Sequence, residues 1–179
     1  MHKDIERILF SEEELSNKAK ELGAQITKDF SGEEITVVGV LKGSNVFTAD
    51  LIRQIDLTVT LDFIAVSSYG KSTVSSGTVK LIKDLDFSIE NKNVLIVEDI
   101  VDSGLTLKYL LENFKSRNPK AIRVCSLLDK PERRKVDIPI DYKGFDIPDE
   151  FVIGYGIDYA EKYRNLPYIG ILKRSVYEK

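Results

Sequence analysis

The chain has one histidine, one cysteine, one methionine and no tryptophan among its 179 residues. The histidine, His2, lies at a terminus, where a chain is loosely held. The cysteine, Cys125, lies in the apolar run AIRVCSLL and reads as a core residue. With a single histidine at a chain end, Ser-His and Cys-His catalysis and His-rich zinc sites are effectively excluded. Any acid–base or metal chemistry must come from carboxylates and lysines. No segment has the ~20 apolar residues of a membrane span. The N-terminal stretch MHKDIERILFSEEEL lacks the apolar run of a signal peptide. A basic excess is missing too: 26 Lys and Arg stand against 29 Asp and Glu, a net charge of −3. That balance argues against a dedicated nucleic-acid binder. The expectation is a soluble, cytoplasmic protein with neither a nucleic-acid nor a membrane partner.

What is present is the composition of a globular domain, 42% hydrophobic and 31% charged, long enough for one real core. Ser11 and Glu14 have the spacing of a capping box. Leu15, Ala19, Leu22 and Ile26 follow at helical period, so 11–29 is predicted as an amphipathic helix. Ser31-Gly32 is a turn. The run ITVVGVL over 35–41 is predicted as a strand buried on both faces, and 44–55 as a helix. Leu57, Val59, Leu61, Phe63 and Ala65 alternate like a half-buried strand. Strands are also expected at 79–82, 94–98, 121–128, 151–155 and 168–172, and a helix at 104–117 closed by Asn118-Pro119. Residues 129–150 are polar with turn signals. Strands alternating with helices imply an α/β fold with a mainly parallel sheet. No repeat or linker divides the chain, so 1–179 is read as one domain with a small appended lobe.

The stretch VLIVEDIVDSGLTL, residues 94–107, carries the chemistry. A buried strand runs into Glu98 and Asp99, and the loop Asp102-Ser103-Gly104-Leu105-Thr106 leads into a helix. Ligands of parallel α/β sheets collect outside the carboxyl ends of the strands. Backbone N–H groups and the helix dipole favour an anion there. The pattern is neither a P-loop nor G-x-G-x-x-G. Asp102 or Ser103 would also serve as a simple helix cap. That alternative leaves Glu98 and Asp99 unexplained, because acids at a buried strand end are costly without partners. Ribose hydroxyls or a hard cation such as Mg²⁺ would suit them.

These residues resemble the signature of the type I phosphoribosyltransferases. Further segments narrow the resemblance to the hypoxanthine-guanine phosphoribosyltransferases: Leu41-Lys42-Gly43-Ser44, Ser67-Ser68-Tyr69-Gly70, Leu127-Leu128-Asp129-Lys130-Pro131, and Phe151-Val152-Ile153-Gly154-Tyr155 through Asp158-Tyr159 to Arg164. The family implies transfer of a phosphoribosyl group from 5-phosphoribosyl 1-pyrophosphate (PRPP) to N9 of hypoxanthine or guanine. IMP or GMP forms and pyrophosphate leaves. It further implies Mg²⁺ as cofactor and a homodimer or homotetramer. The fold implied has a core over about 30–130, a hood built from the N- and C-terminal segments, and a lid at about 67–77.

By the same resemblance, Glu98 and Asp99 meet the ribose hydroxyls. Asp102, Ser103, Gly104, Leu105 and Thr106 hold the 5′-phosphate, with Asp102 handling the proton at purine N7. Lys42, Gly43 and Arg164 meet pyrophosphate, Lys42 counting among the catalytic residues through a Leu41–Lys42 peptide that can be cis. Ser68 and Tyr69 belong to the lid. Lys130 reads the purine 6-oxygen, Phe151 stacks on the base, and carbonyls around Val152 and Asp158 receive the guanine amino group. Glu98, Asp99 and Asp158 are the implied metal ligands. A non-catalytic RNA-binding regulator on the same fold is the competing reading; the acidic balance speaks against it.

Overall fold

The structure, a computed structural model, describes residues 2–68 and 79–178. It holds a six-stranded sheet and a three-stranded one. In chain order the strands are β1 (Ile5–Phe10), β2 (Ile35–Leu41), β3 (Val59–Ser68), β4 (Val79–Lys83), β5 (Asn93–Val101), β6 (Ala121–Asp129), β7 (Tyr142–Asp146), β8 (Val152–Ile153) and β9 (Ile169–Leu172). The helices are α1 (Glu12–Asp29), α2 (Asn45–Ile52), α3 (Leu105–Lys115) and α4 (Arg174–Tyr177).

The large sheet has the order β4-β3-β2-β5-β6-β7. Its pairs are parallel except β3–β4. Strand order reverses between β2 and β5: β2 is followed by β3 on one side, β5 by β6 on the other. Such a switch point leaves a crevice at the carboxyl ends of the two central strands. The crevice opens at a definable residue. Pairing of β2 with β5 ends at Gly39 and Val97. Beyond Val97, β5 continues only against β6, through Glu98 with Ser126, Ile100 with Leu128 and Val101 with Asp129.

Continuous apolar strands build a core on both faces of this sheet. On one face, Leu15, Leu22 and Ile26 of α1 and Phe47 and Leu51 of α2 pack against Val37, Leu95, Val97, Cys125 and Leu127. On the other, Leu107, Leu110, Leu111 and Phe114 of α3 pack against Val38, Val40, Val94, Ile96 and Val124. Cys125 is fully buried, as a core cysteine should be. The expected capping box forms: Ser11 Oγ accepts from Glu14 N at 3.3 Å, and Glu14 accepts from Ser11 N at 2.8 Å. The small sheet, β1-β9-β8, is antiparallel and joins the two chain ends over a cluster of Ile5, Ile153 and Leu172. No helix among the described residues is long and apolar enough to cross a membrane.

Several sequence expectations need correction. The polar stretch 129–150 contains β7 and a 3₁₀ turn at Pro131–Arg133. β1 was not expected. Both are edge strands, and only Ile5 of β1 is fully buried, so neither shows a clean alternation. In β3 the expected buried face is out of phase. Leu61 is exposed, whereas Asp62 and Ile64 are buried. Asp62 belongs there because it accepts from Asp86 N at 2.8 Å and from its neighbour Phe63 N at 2.7 Å. β5 runs past Glu98 to Val101, so the two acids lie within the strand. Of the lid expected at 67–77, Ser67 and the backbone of Ser68 end β3; Tyr69 to Gly77 lie outside the described residues.

Helix α3 carries the phosphate-type loop, and its anchor is Phe114, fully buried at the helix end. Phe114→Ala is expected to cost about 3–5 kcal/mol of unfolding free energy, against about 1 kcal/mol for Ser11→Ala at the α1 cap. Denaturant midpoints of the two variants measure both. An equal loss would show that α3 is not seated by this side chain.

Candidate active site

A cleft of ≈280 Å³ lies at the switch point, with Lys42, Gly43, Glu98, Asp99, Thr106, Asp158 and Arg164 among its lining. A smaller pocket of ≈100 Å³ adjoins it, formed by Glu98 and the loop Asp102–Thr106 with Leu107. Glu98 and Thr106 line both. The predicted residues on β2, β5, the α3 loop and the segment before β9 therefore share one space.

The loop is shaped to leave donors free. Gly104 precedes α3 with a left-handed φ of 83°, and no side chain caps the helix. Ser103 Oγ reaches Leu105 N only at a long 3.4 Å, and Asp102 makes no capping bond. Asp102 thus does not cap α3, and the start of the helix, where the dipole is positive, borders the pocket lined by Ser103, Gly104 and Thr106.

Glu98 is buried, and its position is electrostatically unfavourable. Burial pushes its carboxyl well above the usual range, and the neighbouring Asp99 adds to this. Burial also raises Asp99 to about 6; its bonds from Ile100 N and its own N, together with the Arg164 charge, oppose the rise, and Asp158 reinforces it. Asp99 lies so close to Gly43 that any Cβ there would land on its Oδ2. A Cβ at Gly156, whose φ is 100°, would strike the carbonyl of Gly43 in turn. Side chains are therefore excluded from two successive backbone layers above Asp99. The Leu41–Lys42 peptide, which leads into Gly43, is cis.

Two cations face these acids. Arg164 Nη2 lies 2.9 Å from Asp158 Oδ1, and Nη1 donates to Gly156 O at 2.8 Å. Lys42 Nζ pairs with Glu161 Oε2 at 3.0 Å, and Glu161 Oε2 also lies 3.4 Å from Arg164 Nη2. Glu161 is a site residue that the sequence reading missed; no local pattern marks it. Among the described residues no group of three His, Cys, Asp or Glu side chains could by itself hold a metal ion. Glu98, Asp99 and Asp158 line one cleft without forming a closed cage.

Lys130, Phe151 and Val152 are not among the lining of the cleft or the pocket and form a separate wall, joined through Glu150. Lys130, at the end of β6, is buried and donates from Nζ to Glu150 O at 2.8 Å. Phe151 is partly exposed; it stacks on Tyr177 with centroids 5.1 Å apart and meets Tyr159 edge-on at 5.4 Å. Val152 is buried in β8, paired with Ile171 of β9. Lys130 N donates to Val101 O at 2.9 Å, which ties this wall to the end of β5.

A pH dependence follows for Asp99. Its folded value, about 6, lies above the usual 3.8, so protonation relieves a burial penalty that folding imposes. That penalty is fully present above about pH 6 and fades as pH falls toward the unfolded value. Asp99→Asn, neutral throughout, should raise the thermal midpoint at pH 8 in chelator. The gain should shrink on going through pH 6 to pH 4. A gain that does not vary with pH would contradict the assignment.

Comparison with known proteins agrees with this geometry. The phosphoribosyl transferase domain family matches residues 9–160. The chain is 58% identical to the hypoxanthine-guanine phosphoribosyltransferase of Bacillus subtilis (strain 168) over 178 residues, 99% of each chain. It is 52% identical to the enzyme of that name from Streptococcus mutans, covering 100% of this chain and 99% of the other. The crystal structure of a hypoxanthine phosphoribosyltransferase from Staphylococcus aureus superposes with a TM-score of 0.96 at 54% identity, over 100% of this chain and 97% of that one. A shared sequence and a shared fold along the full length place the chain in the phosphoribosyltransferase family and, within it, among the bacterial hypoxanthine-guanine phosphoribosyltransferases.

Proposed function

We propose that the chain transfers the 5-phosphoribosyl group of PRPP to N9 of hypoxanthine or guanine, as a purine salvage enzyme. The C1–oxygen bond to pyrophosphate breaks, the N9–C1 bond forms, and the proton on purine N7 passes to the Asp102 carboxylate. IMP or GMP and pyrophosphate are the products. The observation that carries this reading is the single cleft in which cations, carboxylates and an uncapped helix N-terminus meet.

Each residue then has a task its surroundings allow. The N–H groups at Ser103, Gly104, Leu105 and Thr106 and the two hydroxyls receive the 5′-phosphate. Glu98 and Asp99 accept from the ribose hydroxyls, which answers the question their burial raises. Lys42, Gly43 and Arg164 receive pyrophosphate, Arg164 with a planar fork suited to phosphate oxygens. Lys130 donates to the 6-oxygen, and Phe151 offers its ring to the base. Carbonyls near Val152 and Asp158 take the 2-amino group of guanine. By the family resemblance Ser68 and Tyr69 serve to keep water from a sugar with cationic character; Tyr69 lies outside the described residues.

The donor set fits Mg²⁺. Glu98, Asp99 and Asp158 are hard oxygen ligands, close enough that Asp99 raises Glu98 and Asp158 raises Asp99. An open arrangement short of a cage is what Mg²⁺ uses when substrate phosphates and water complete its shell. Bound there, the cation would neutralise charge on PRPP and on the leaving pyrophosphate. The working assembly is a homodimer or homotetramer. The phosphorylated substrate and products cannot cross a bilayer unaided, which puts the reaction in the cytoplasm.

The purified chain with PRPP, Mg²⁺ and each purine tests the reaction directly: hypoxanthine and guanine should react, and excess chelator should stop turnover. Asp102→Asn preserves shape but cannot take a proton. It should lower kcat roughly 10²–10⁴-fold with PRPP affinity kept. Normal turnover would make Asp102 a bystander.

Base choice rests on Lys130, a donor with no acceptor. Adenine presents an amino group where the 6-oxopurines present oxygen. Sites built on such a bond reject the wrong group by about 10⁴-fold, so adenine should be a very poor substrate. Lys130→Met keeps most of the stem, and it should depress activity with hypoxanthine and narrow the gap to adenine. An unaltered preference in kcat/KM would remove Lys130 from base reading.

A further inference from the structure

Asp102 has a partner outside its own loop. Arg133 Nε lies 2.6 Å from Asp102 Oδ1. The contact is a close ion pair. Asp102 Oδ1 is shut off from solvent and accepts no hydrogen bond among the described residues. The other end of the same guanidinium is braced: Arg133 Nη1 donates to Asp149 Oδ1 at 3.0 Å. Asp149 Oδ1 in turn lies 3.6 Å from Lys130 Nζ. One side chain therefore stands between the proposed proton acceptor and the carboxylate beside the proposed base-reading lysine.

The backbone holds Arg133 in this place. It closes the 3₁₀ turn Pro131–Arg133. On one side of the turn Lys130 N donates to Val101 O, and on the other Lys135 N donates to Ser103 O, both at 2.9 Å. Those acceptors flank Asp102 in sequence. The turn is thus pinned on both sides of the residue that Arg133 touches. The chain beyond it packs down on the loop, since a Cβ at Gly104 would meet Arg134 Cδ at 3.0 Å and Val136 Cγ2 at 3.1 Å.

We propose that Arg133 is a positioning residue for phosphoribosyl transfer, holding the Asp102 carboxylate in the orientation from which it takes the purine N7 proton. The inference rests on the roles given above to Asp102 and Lys130. Asp102 sits in a loop where, among the described residues, no side-chain hydrogen bond fixes its carboxylate. A carboxylate free to rotate would spend much of its time away from N7, and a misplacement of about 1 Å can cost roughly 10²-fold in rate. For stability the ion pair counts for little. Arg133, Asp102 and Asp149 side chains are each about half exposed, at 51%, 45% and 48%, and pairs so exposed are weak. A kinetic role without a folding role is therefore expected.

The test is kinetic, on the full chain with PRPP, Mg²⁺ and hypoxanthine. Arg133→Gln should lower kcat about 10- to 100-fold, leave KM for PRPP within about twofold, and leave the thermal midpoint unchanged. Arg133→Lys, which can reach one carboxylate but not both, should recover part of the loss. In the Asp102→Asn background, where no proton acceptor remains to be positioned, Arg133→Gln should change kcat by less than about twofold. An Arg133→Gln variant with wild-type kcat overturns the proposal. So does a loss that persists at full size in the Asp102→Asn background, because Arg133 would then act elsewhere. If Asp102→Asn alone turns over normally, the reading of Asp102 falls and this proposal falls with it. If Asp102→Asn is crippled and Arg133→Gln is not, only the proposal fails.

Discussion

Two adjacent carboxylates in a buried strand are the constraint around which the rest of the structure is arranged. Burial raises both Glu98 and Asp99; the Asp99 charge adds to the first and the Asp158 charge to the second. Nothing in the fold would tolerate this pair unless the strand bearing it opened onto a polar space. It does so because β2 and β5 part after Gly39 and Val97: β2 goes on against β3 and β5 against β6, and the next residue of β5 is Glu98. The crevice of the topological switch point and the start of the acidic pair coincide.

The close approach of backbone to Asp99 follows from the same constraint. Gly43 sits where any side chain would strike the Asp99 carboxylate, and Gly156 sits where any side chain would strike the Gly43 carbonyl. Three segments distant in sequence are thereby stacked with only the Asp99 carboxylate between them. Lys42 and Arg164 flank the stack and bring positive charge to its rim. Glu161 engages both and sets the spacing between them. The rim is thus a charge lattice of alternating sign, suited to a substrate with phosphate at both ends of a polar sugar.

Stability and function pull in opposite directions at this site. The two sheet faces are closed by apolar helices whose inward residues are almost fully buried. That core can carry the unfavourable acids, the uncapped start of α3 and the left-handed Gly104. Each of these is a local violation of what makes a sequence fold well, and violations of that kind cluster at working sites.

Much of the fold was legible because its signals are local. The runs at 35–41, 94–98 and 121–128 are predominantly apolar, as strands covered on both faces are. Ser11, Glu14 and the apolar residues from Leu15 to Ile26 specify α1 without help. The stretch from Glu98 to Thr106 announces acids beside an anion loop on its own. The edge strands β1 and β7 were not legible, since an edge strand is defined by its partner's hydrogen bonds and only weakly by side-chain pattern. The phase of β3 was misread because Asp62 draws its partners from residues 63 and 86 and so sits inside while Leu61 faces out. Asp99 against Gly43, Gly43 against Gly156, Glu161 against Lys42 and Arg133 against Asp102 were likewise hidden. Such contacts join segments far apart along the chain or turn on one loop's path, and no periodicity or spacing encodes them. Sequence determined the central strands, the helices and the chemistry they carry; only the packing of one segment on another decided the edge strands, which charges meet and where backbone must approach without a side chain.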